Sequence, residues 1–287
     1  MNEVKLSTLA DRAILVRLTR SMYDPYAYDS QATQQIEVSS GVVGAGRYNK
    51  RLFRNCKPLE ETTATFGAAY RYFMANTVPW LDNGVRMLPS EMYFDFTAKM
   101  KELMDEARAS ARKLASQWDG LVAADVLRLG PLGNPSDYPR DIYGRFEIAM
   151  RFLPVPHVAD FRVGMTEEDK ATLHEAITEA EANVAKHLMG ELLKPIQKAV
   201  EKLSVPIGAE GSIFRDTLMS NITEVATQAK RLNAITNDPT VAEIVRDIET
   251  RVSSYAANPD RLRESQDDRM AATAELDAIM SKMAGLF

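Results

Sequence analysis

Residues 166–203 read TEEDKATLHEAITEAEANVAKHLMGELLKPIQKAVEKL, and this stretch carries the clearest structural signal in the chain. Apolar residues recur in it at spacings of three or four, which is the repeat of one face of an α-helix. Thr166 and Asp169 have the residue types and the spacing of a capping box at a helix start. The stretch therefore predicts one long helix over 167–203, and Pro195 within it predicts a kink.

Similar apolar patterns lie on both sides of this stretch. They predict helices over 58–76, 91–129 and 212–235, and two more that open at Asp238-Pro239 and Asn258-Pro259, where a capping residue precedes proline. Two short apolar runs, residues 13–18 and 146–152, favour β-strands that pair with each other. The sequence predicts a mainly α fold, in which long helices form an antiparallel bundle beside a minor two-stranded β element.

The long helix also suggests how the chain divides. The best candidate for a domain boundary lies near residues 163–166, just before the capping box. We therefore expect an α-rich N-terminal domain with the small β element over 1–163, and a C-terminal helical bundle over 164–287.

The composition narrows the class of protein. The chain has 287 residues, 45% of them hydrophobic, and a net charge of −5, which suits a globular protein and not a strongly basic nucleic-acid coat protein. Its one cysteine, Cys56, excludes a disulfide within the chain. The first residues lack the pattern of a signal peptide, and no apolar run approaches a membrane span. We expect a cytoplasmic protein that does not enter membranes.

Motifs for catalysis or metal binding are weak. The three histidines are His157, His174 and His187, and the last two lie too far apart on one helix to share a metal. His187 and Glu191 are one turn apart, but two ligands make a poor site. A Gly-x-Ser-x-Gly motif is also absent. We expect no catalytic residue, metal or cofactor, and an enzyme of unknown class is the third-ranked alternative.

The segment from Gly44 to Lys57 is the strongest local chemical feature. It contains five basic residues and no acidic one: Arg47, Lys50, Arg51, Arg54 and Lys57. If residues 47–57 form a helix, these side chains share one face, and the other face carries Tyr48, Leu52, Phe53 and Cys56.

Two interpretations of this basic segment remain open. One is a phosphate or nucleic-acid contact, with Gly44 and Gly46 allowing backbone N–H groups to approach an anion and with Tyr48 or Phe53 available for stacking on a base. The other is a solvated basic face on a helix that packs through its apolar side. In either case Cys56 is expected to be a small core residue.

The C-terminal helix carries an apolar, methionine-containing stripe that runs to the last residue. Its members are Leu276, Ile279, Met280, Met283, Leu286 and Phe287. Because methionine-rich faces adapt to different partners, the stripe is a candidate contact for a partner helix or for a second copy of the chain. The alternative is that it packs on the protein's own core.

Several short strings, taken in order, resemble a family of tailed-bacteriophage proteins with no assigned activity. They are Gly46-Arg47-Tyr48-Asn49-Lys50, Thr77-Val78-Pro79-Trp80, Gly84-Val85-Arg86-Met87-Leu88-Pro89, Asp137-Tyr138-Pro139, Pro154-Val155-Pro156, Asp160-Phe161-Arg162-Val163 and Phe214-Arg215-Asp216. The resemblance implies a phage-encoded protein that acts in the bacterial cytoplasm. Relatives can be encoded near AAA+ ATPases, which makes such an ATPase a candidate partner.

These observations rank three functional hypotheses. The first is a non-enzymatic phage interaction or adaptor protein, homo-oligomeric, that acts on a host or phage protein in counter-defence or host takeover. The second is a nucleic-acid-binding accessory factor that uses the basic residues of 47–57, and the third is the enzyme of unknown class.

Overall fold

The computed structural model describes residues 9–80, 84–155, 166–209, 215 and 217–284. Most of these residues are helical, so the predicted mainly α class is confirmed. The helices are α1 (Leu9–Arg12), α2 (Ser30–Ser40), α3 (Lys57–Ala75), α4 (Tyr93–Ser116), α5 (Trp118–Leu129), α6 (Glu167–Leu203), α7 (Thr217–Leu232), α8 (Pro239–Arg251), α9 (Ser253–Ala257), α10 (Arg261–Glu264) and α11 (Gln266–Ala284). The strands are β1 (Ala13–Ser21), β2 (Tyr26–Tyr28), β3 (Asn49–Arg51), β4 (Val78–Pro79), β5 (Val85–Pro89) and β6 (Glu147–Leu153).

The strands form two sheets. A four-stranded sheet has the order β4-β5-β1-β6, with β1 antiparallel to β5 so that Ala13 lies opposite Pro89. The expected pairing of the runs 13–18 and 146–152 is confirmed by the neighbouring strands β1 and β6. The sheet is larger than predicted because the β4–β5 hairpin adds to the other side of β1. The second sheet consists of β2 and β3 alone.

The contacts divide the chain into two compact units. Unit 1 comprises Met1–Arg17, Met74–Phe94 and Arg151–Phe287, and unit 2 comprises Leu18–Phe73 and Asp95–Met150. The sequence placed a single boundary near 163–166, whereas the chain passes between these units at four other points. Local composition does not reveal such crossings, because they follow from which distant strands and helices associate.

Helix α6 organises the core of unit 1. It spans Glu167–Leu203 as predicted, and the capping box is present: Thr166 Oγ1 accepts a 3.1 Å hydrogen bond from the Asp169 N–H, and Asp169 accepts one from the Thr166 N–H. Its inner face includes Leu192 and Ile196, both fully buried. The helix continues through Pro195, and the kink there stays a prediction.

The C-terminal stripe belongs to this same core. Leu276, Ile279 and Met283 on α11 are 0–1% exposed among side chains of α6, α7 and α8, and Met280 packs partly buried against them. The prediction that these residues form a partner surface is wrong for the buried three, because their apolar area is already covered within the chain. Leu286 and Phe287 lie outside the described residues.

The β4–β5 hairpin of unit 1 holds a buried arginine. Arg86 is 8% exposed, and its guanidinium donates to the Thr77 hydroxyl at 2.7 Å and to the Thr77 carbonyl at 2.6 Å. Two of the short strings quoted above, residues 77–80 and 84–89, therefore meet in one hydrogen-bonded element. Arg86 is the one charged residue in these two strings, and its hydrogen bonds to Thr77 give it a structural role within the hairpin.

Candidate nucleic-acid interface

The basic segment of unit 2 is not a helix. Its residues 49–51 form β3, Phe53 and Asn55 have positive φ angles of 51° and 59°, and α3 starts only at Lys57. The prediction of a helix over 47–57 is wrong, because strand pairing with β2 and two left-handed residues interrupt any helical repeat. Alternation along β3 instead points Lys50 inward and leaves Asn49 and Arg51 exposed.

Lys50 is a buried cation that joins three separate segments. Its Nζ lies 2.9 Å from Asp29 Oδ2, 2.7 Å from Asp137 Oδ2 and 2.8 Å from the Leu132 carbonyl oxygen. The contacts to Asp29 and Leu132 are hydrogen bonds, and the contact to Asp137 is an ion pair. Lys50 therefore serves the structure of unit 2, and a nucleic-acid site in this segment must rest on its other basic residues.

The ionisation of this cluster follows from its contacts. Burial alone would lower the pKa of Lys50, but its close contacts with the carboxylates of Asp137 and Asp29 outweigh burial and raise it. The pKa of Asp29 is lowered by hydrogen bonds from the Ala32 N–H, where Asp29 caps α2, and from Lys50. Both groups are therefore charged at neutral pH.

A second buried cluster surrounds Asp125. Its carboxylate accepts hydrogen bonds from the Phe53 N–H at 2.9 Å, from the Tyr138 hydroxyl at 2.7 Å and from Arg128 Nε at 2.7 Å. Burial would raise the pKa of Asp125, yet the bonds from Arg128, Phe53 and Tyr138 lower it overall. This cluster fixes the left-handed backbone at Phe53.

The aromatic rings around this cluster are structural. Phe53 is 5% exposed, with its ring centroid 4.8 Å from Trp118 and 5.2 Å from Tyr138. Phe53 is therefore not available to stack on a base, as the sequence suggested. The Trp118 indole N–H donates to the Pro139 carbonyl at 2.8 Å.

The outer face of the β2–β3 ribbon carries exposed aromatic and basic side chains. Tyr26 and Tyr28 are 54% and 45% exposed, and they lie opposite Arg51 and Asn49 respectively. Residues two apart on a strand share a face, so the two side chains leave the backbone on the same side, about 7 Å apart along the strand. We call Tyr26, Tyr28, Asn49 and Arg51 the tyrosine face.

Arginine side chains extend the tyrosine face. The Arg47 guanidinium carbon lies 4.4 Å from the centre of the Tyr28 ring, within the range of a cation–π contact. Arg128 Nη2 donates to the Arg51 carbonyl at 3.3 Å and so brings another cation to this ribbon.

The remaining predicted residues divide by exposure. Arg47, Arg51, Arg54 and Lys57 are exposed, and none has a carboxylate partner among the described residues. Tyr48 is half-buried, and its backbone N–H donates to the Thr33 hydroxyl at 3.0 Å.

The sequence interpretation missed Tyr26 and Tyr28. Their signal is the alternation Tyr-Ala-Tyr, which is typical of a strand with one exposed face. The run is only three residues long, and its partner strand, β3, starts some twenty residues later, which is why it did not stand out.

The other candidate groups do not assemble into a site. Cys56 is half-buried, and burial raises the pKa of its thiol. His174 is exposed, burial lowers the pKa of His187, and His157 lies outside the described residues. Among the residues that the structure describes, no cluster of three or more His, Cys, Asp or Glu is placed to hold a metal, and no helix is long and apolar enough to cross a membrane.

Comparison with known proteins adds no assignment: no family model, curated protein or solved structure matches this chain.

Proposed function

We propose that this protein is a non-enzymatic nucleic-acid-binding factor that holds single strands on the tyrosine face of unit 2. The observation that carries the proposal is the exposed pair Tyr26 and Tyr28 beside Arg47 and Arg51, two cations without carboxylate partners in the described part of the chain. Aromatic rings and basic side chains together are what single-strand binding requires.

Each component has a separate task. Every base has a flat π-face, so stacking on Tyr26 or Tyr28 contributes about 1–3 kcal/mol per base without reading sequence. The Arg47 guanidinium extends the Tyr28 ring with a second planar group on which a base can stack. Arg51, Arg54 and Lys57 supply positive charge for the phosphates.

The charge distribution within the segment supports this assignment. Lys50 is neutralised by Asp29 and Asp137, so its charge contributes little outside the protein. The exposed cations of the same segment keep theirs. A net charge of −5 for the whole chain then favours binding confined to this local surface over coating of nucleic acid.

The proposal also includes the arrangement of the helices in unit 1 and the origin and location of the protein. We propose that the long helices of unit 1 run antiparallel as a supporting bundle. We also propose that the protein is phage-encoded and acts in the cytoplasm of the bacterial host, as the resemblance implies.

Fluorescence anisotropy with a labelled single-stranded oligonucleotide tests the function. We expect binding at low salt that weakens steeply as salt rises, because counterions compete for the phosphates. Tyr26→Ala/Tyr28→Ala should weaken binding by at least about tenfold, since it removes the stacking platform. Arg51→Glu/Arg54→Glu should weaken binding at low salt by more than about tenfold and lessen its dependence on salt, because fewer phosphates are neutralised.

The matched control is Lys101→Glu/Arg112→Glu, which makes the same charge change on exposed residues of α4. It should bind nearly as well as the unaltered protein. Absence of binding at low salt, or equal losses in the control and in the Arg51/Arg54 variant, would reject the proposal.

A second candidate function is favoured by a different observation. Four aliphatic side chains on and after α2 are unusually exposed: Ile36 at 51%, Val38 at 78%, Val42 at 52% and Val43 at 87%. They fall within one short stretch of the sequence, and exposed apolar groups are typical of interaction sites. The candidate is the oligomeric adaptor, with this apolar surface as the contact between copies of the chain. The oligomer would act on a host or phage protein, with an AAA+ ATPase as a candidate.

Sedimentation equilibrium distinguishes this candidate. Val38→Asp/Val43→Asp should convert an oligomer to a monomer. Leu127→Asp should not, although Leu127 is also highly exposed, at 83%. A protein that is monomeric at every concentration before substitution would exclude the self-association.

A further inference from the structure

Unit 2 contains a polar cleft that the proposed nucleic-acid surface does not use. Its volume is about 420 Å³, within the usual range for small-molecule sites. Two segments line it, residues 21–24 at the end of β1 and residues 136–139 before β6, together with Arg145. Its polar side chains are those of Ser21, Tyr23, Asp24, Ser136, Asp137 and Arg145.

The Tyr23 hydroxyl is an unsatisfied donor at this cleft. Its oxygen is buried and has no hydrogen-bond partner among the described residues. Leaving a buried polar group unpaired costs about 1–3 kcal/mol, so such a group calls for an explanation. The Tyr23 ring is held edge-on to Trp118 at 5.8 Å and to Phe53 at 6.5 Å.

The phenol remains protonated under ordinary conditions. Burial, with the nearby carboxylates of Asp125, Asp24 and Asp137, raises the pKa of Tyr23 to about 12. At neutral pH Tyr23 therefore offers an O–H donor, and a ligand group that meets it must be an acceptor.

The charged groups of the cleft are available to different degrees. Asp137 already pairs with Lys50 at 2.7 Å. Arg145 and Asp24 are both exposed, and neither forms an ion pair with another described residue. The cleft thus presents one uncommitted cation and one uncommitted anion. It also presents the Tyr23 hydroxyl donor and the Asp137 Oδ2 acceptor, which are both buried without a hydrogen-bond partner among the described residues.

We propose that this cleft binds a small zwitterion of the size of an amino acid, with its carboxylate toward Tyr23 and Arg145 and its ammonium group toward Asp24. The carboxylate supplies the acceptor that the Tyr23 hydroxyl lacks and pairs with the guanidinium. The ammonium group neutralises Asp24, which would repel a ligand carrying negative charge alone. A ligand carrying positive charge alone would leave the Tyr23 donor unmet.

Binding by the full-length protein tests this directly. Saturation-transfer NMR with an equimolar mixture of the twenty amino acids should show binding by at least one of them, whose affinity is then measured by calorimetry. Acetate and methylamine, which each carry one of the two charges, should bind at least about tenfold more weakly than that amino acid.

Three variants locate the site. Tyr23→Phe keeps the ring and removes only the unsatisfied hydroxyl, so it should fold normally and weaken binding about tenfold. Arg145→Gln should weaken it at least as much. Arg140→Gln, an exposed arginine that does not line the cleft, should have no effect.

Each contrary result has a defined meaning. If no amino acid binds at millimolar concentration, the cleft holds water alone and the proposal fails. It also fails if binding persists unchanged in both Tyr23→Phe and Arg145→Gln, or if acetate binds as well as the amino acid. The single-strand assay is independent of these outcomes, because none of the three variants alters the tyrosine face.

Discussion

Helix α6 and the segment 47–57 differ in how burial is achieved. Along α6 the buried residues are apolar and recur every three or four positions, and the predicted ends, Glu167 and Leu203, are those observed. In the segment 47–57 the buried residues are Lys50, Leu52 and Phe53, which follow no helical repeat. Sequence periodicity succeeded in the first region and failed in the second.

The difference lies in the type of interaction. Apolar burial is non-directional, so a stripe of Leu, Ile and Val predicts its buried face whatever covers it. A buried ammonium group instead needs acceptors at hydrogen-bonding distance. Lys50 finds them 21 residues away in Asp29 and 82 residues away in Leu132. No local pattern records those partners.

The largest effect is expected from Lys50→Met. This change leaves the carboxylates of Asp29 and Asp137 without their shared cation, and breaking a buried ion pair costs about 3–5 kcal/mol. Urea unfolding should show that loss in the free energy of unfolding. Lys57→Met, which removes an exposed cation from the same segment, should change it by less than about 0.5 kcal/mol. Similar values for the two variants would contradict a structural role for Lys50.

The next effect is expected in α6. Leu192 is fully buried, so Leu192→Ala should lower the free energy of unfolding by about 2–5 kcal/mol through lost burial and a residual cavity. Leu127→Ala serves as the control, because Leu127 is 83% exposed and little burial is lost. If the loss at Leu192 were no greater than at Leu127, the assignment of α6 as the core of unit 1 would be wrong.

Lowering the pH should destabilise the protein through the polar clusters of unit 2. The pKa values of Asp29 and Asp125 are lowered by folding, so the stability they contribute is present above the unfolded value of 3.8 and is lost as pH falls through their folded values. Urea unfolding at a series of pH values should show a decline beginning near pH 4. Asp125→Asn, which cannot titrate, should make the decline shallower, and an unchanged slope would exclude Asp125 as a contributor.

The smallest effect is expected at the start of α6. Thr166→Ala removes the capping side chain and should cost about 1 kcal/mol. Thr172→Ala is the matched control inside the same helix, where alanine is the better helix former and no loss is expected. A loss at residue 172 equal to that at residue 166 would show that the cap itself contributes nothing.

Two short strings of the sequence show where prediction from the sequence stopped. Residues 46–50 and 137–139 looked like separate features, yet Lys50 and Asp137 form one ion pair, while Tyr138 and Pro139 bond to Asp125 and Trp118. The strings were visible in the sequence, but the contact between them was not. The partner contact predicted on α11 was wrong for the buried residues Leu276, Ile279 and Met283 for a related reason. An apolar stripe shows that a surface is buried, but it does not specify which surface covers it.

The sequence by itself determined the helical class, the ends and cap of α6, the strand character of the runs in β1 and β6, and the presence of a basic segment near residue 50. These features depend on local periodicity or on neighbouring residues, which a single chain displays directly. The tertiary structure alone decided that Lys50 is internal while Arg47 and Arg51 are external, and that Tyr26 and Tyr28 join them on one surface. Those outcomes depend on which distant segments pair, because a polar group can be buried only where the fold brings its partners within hydrogen-bonding distance.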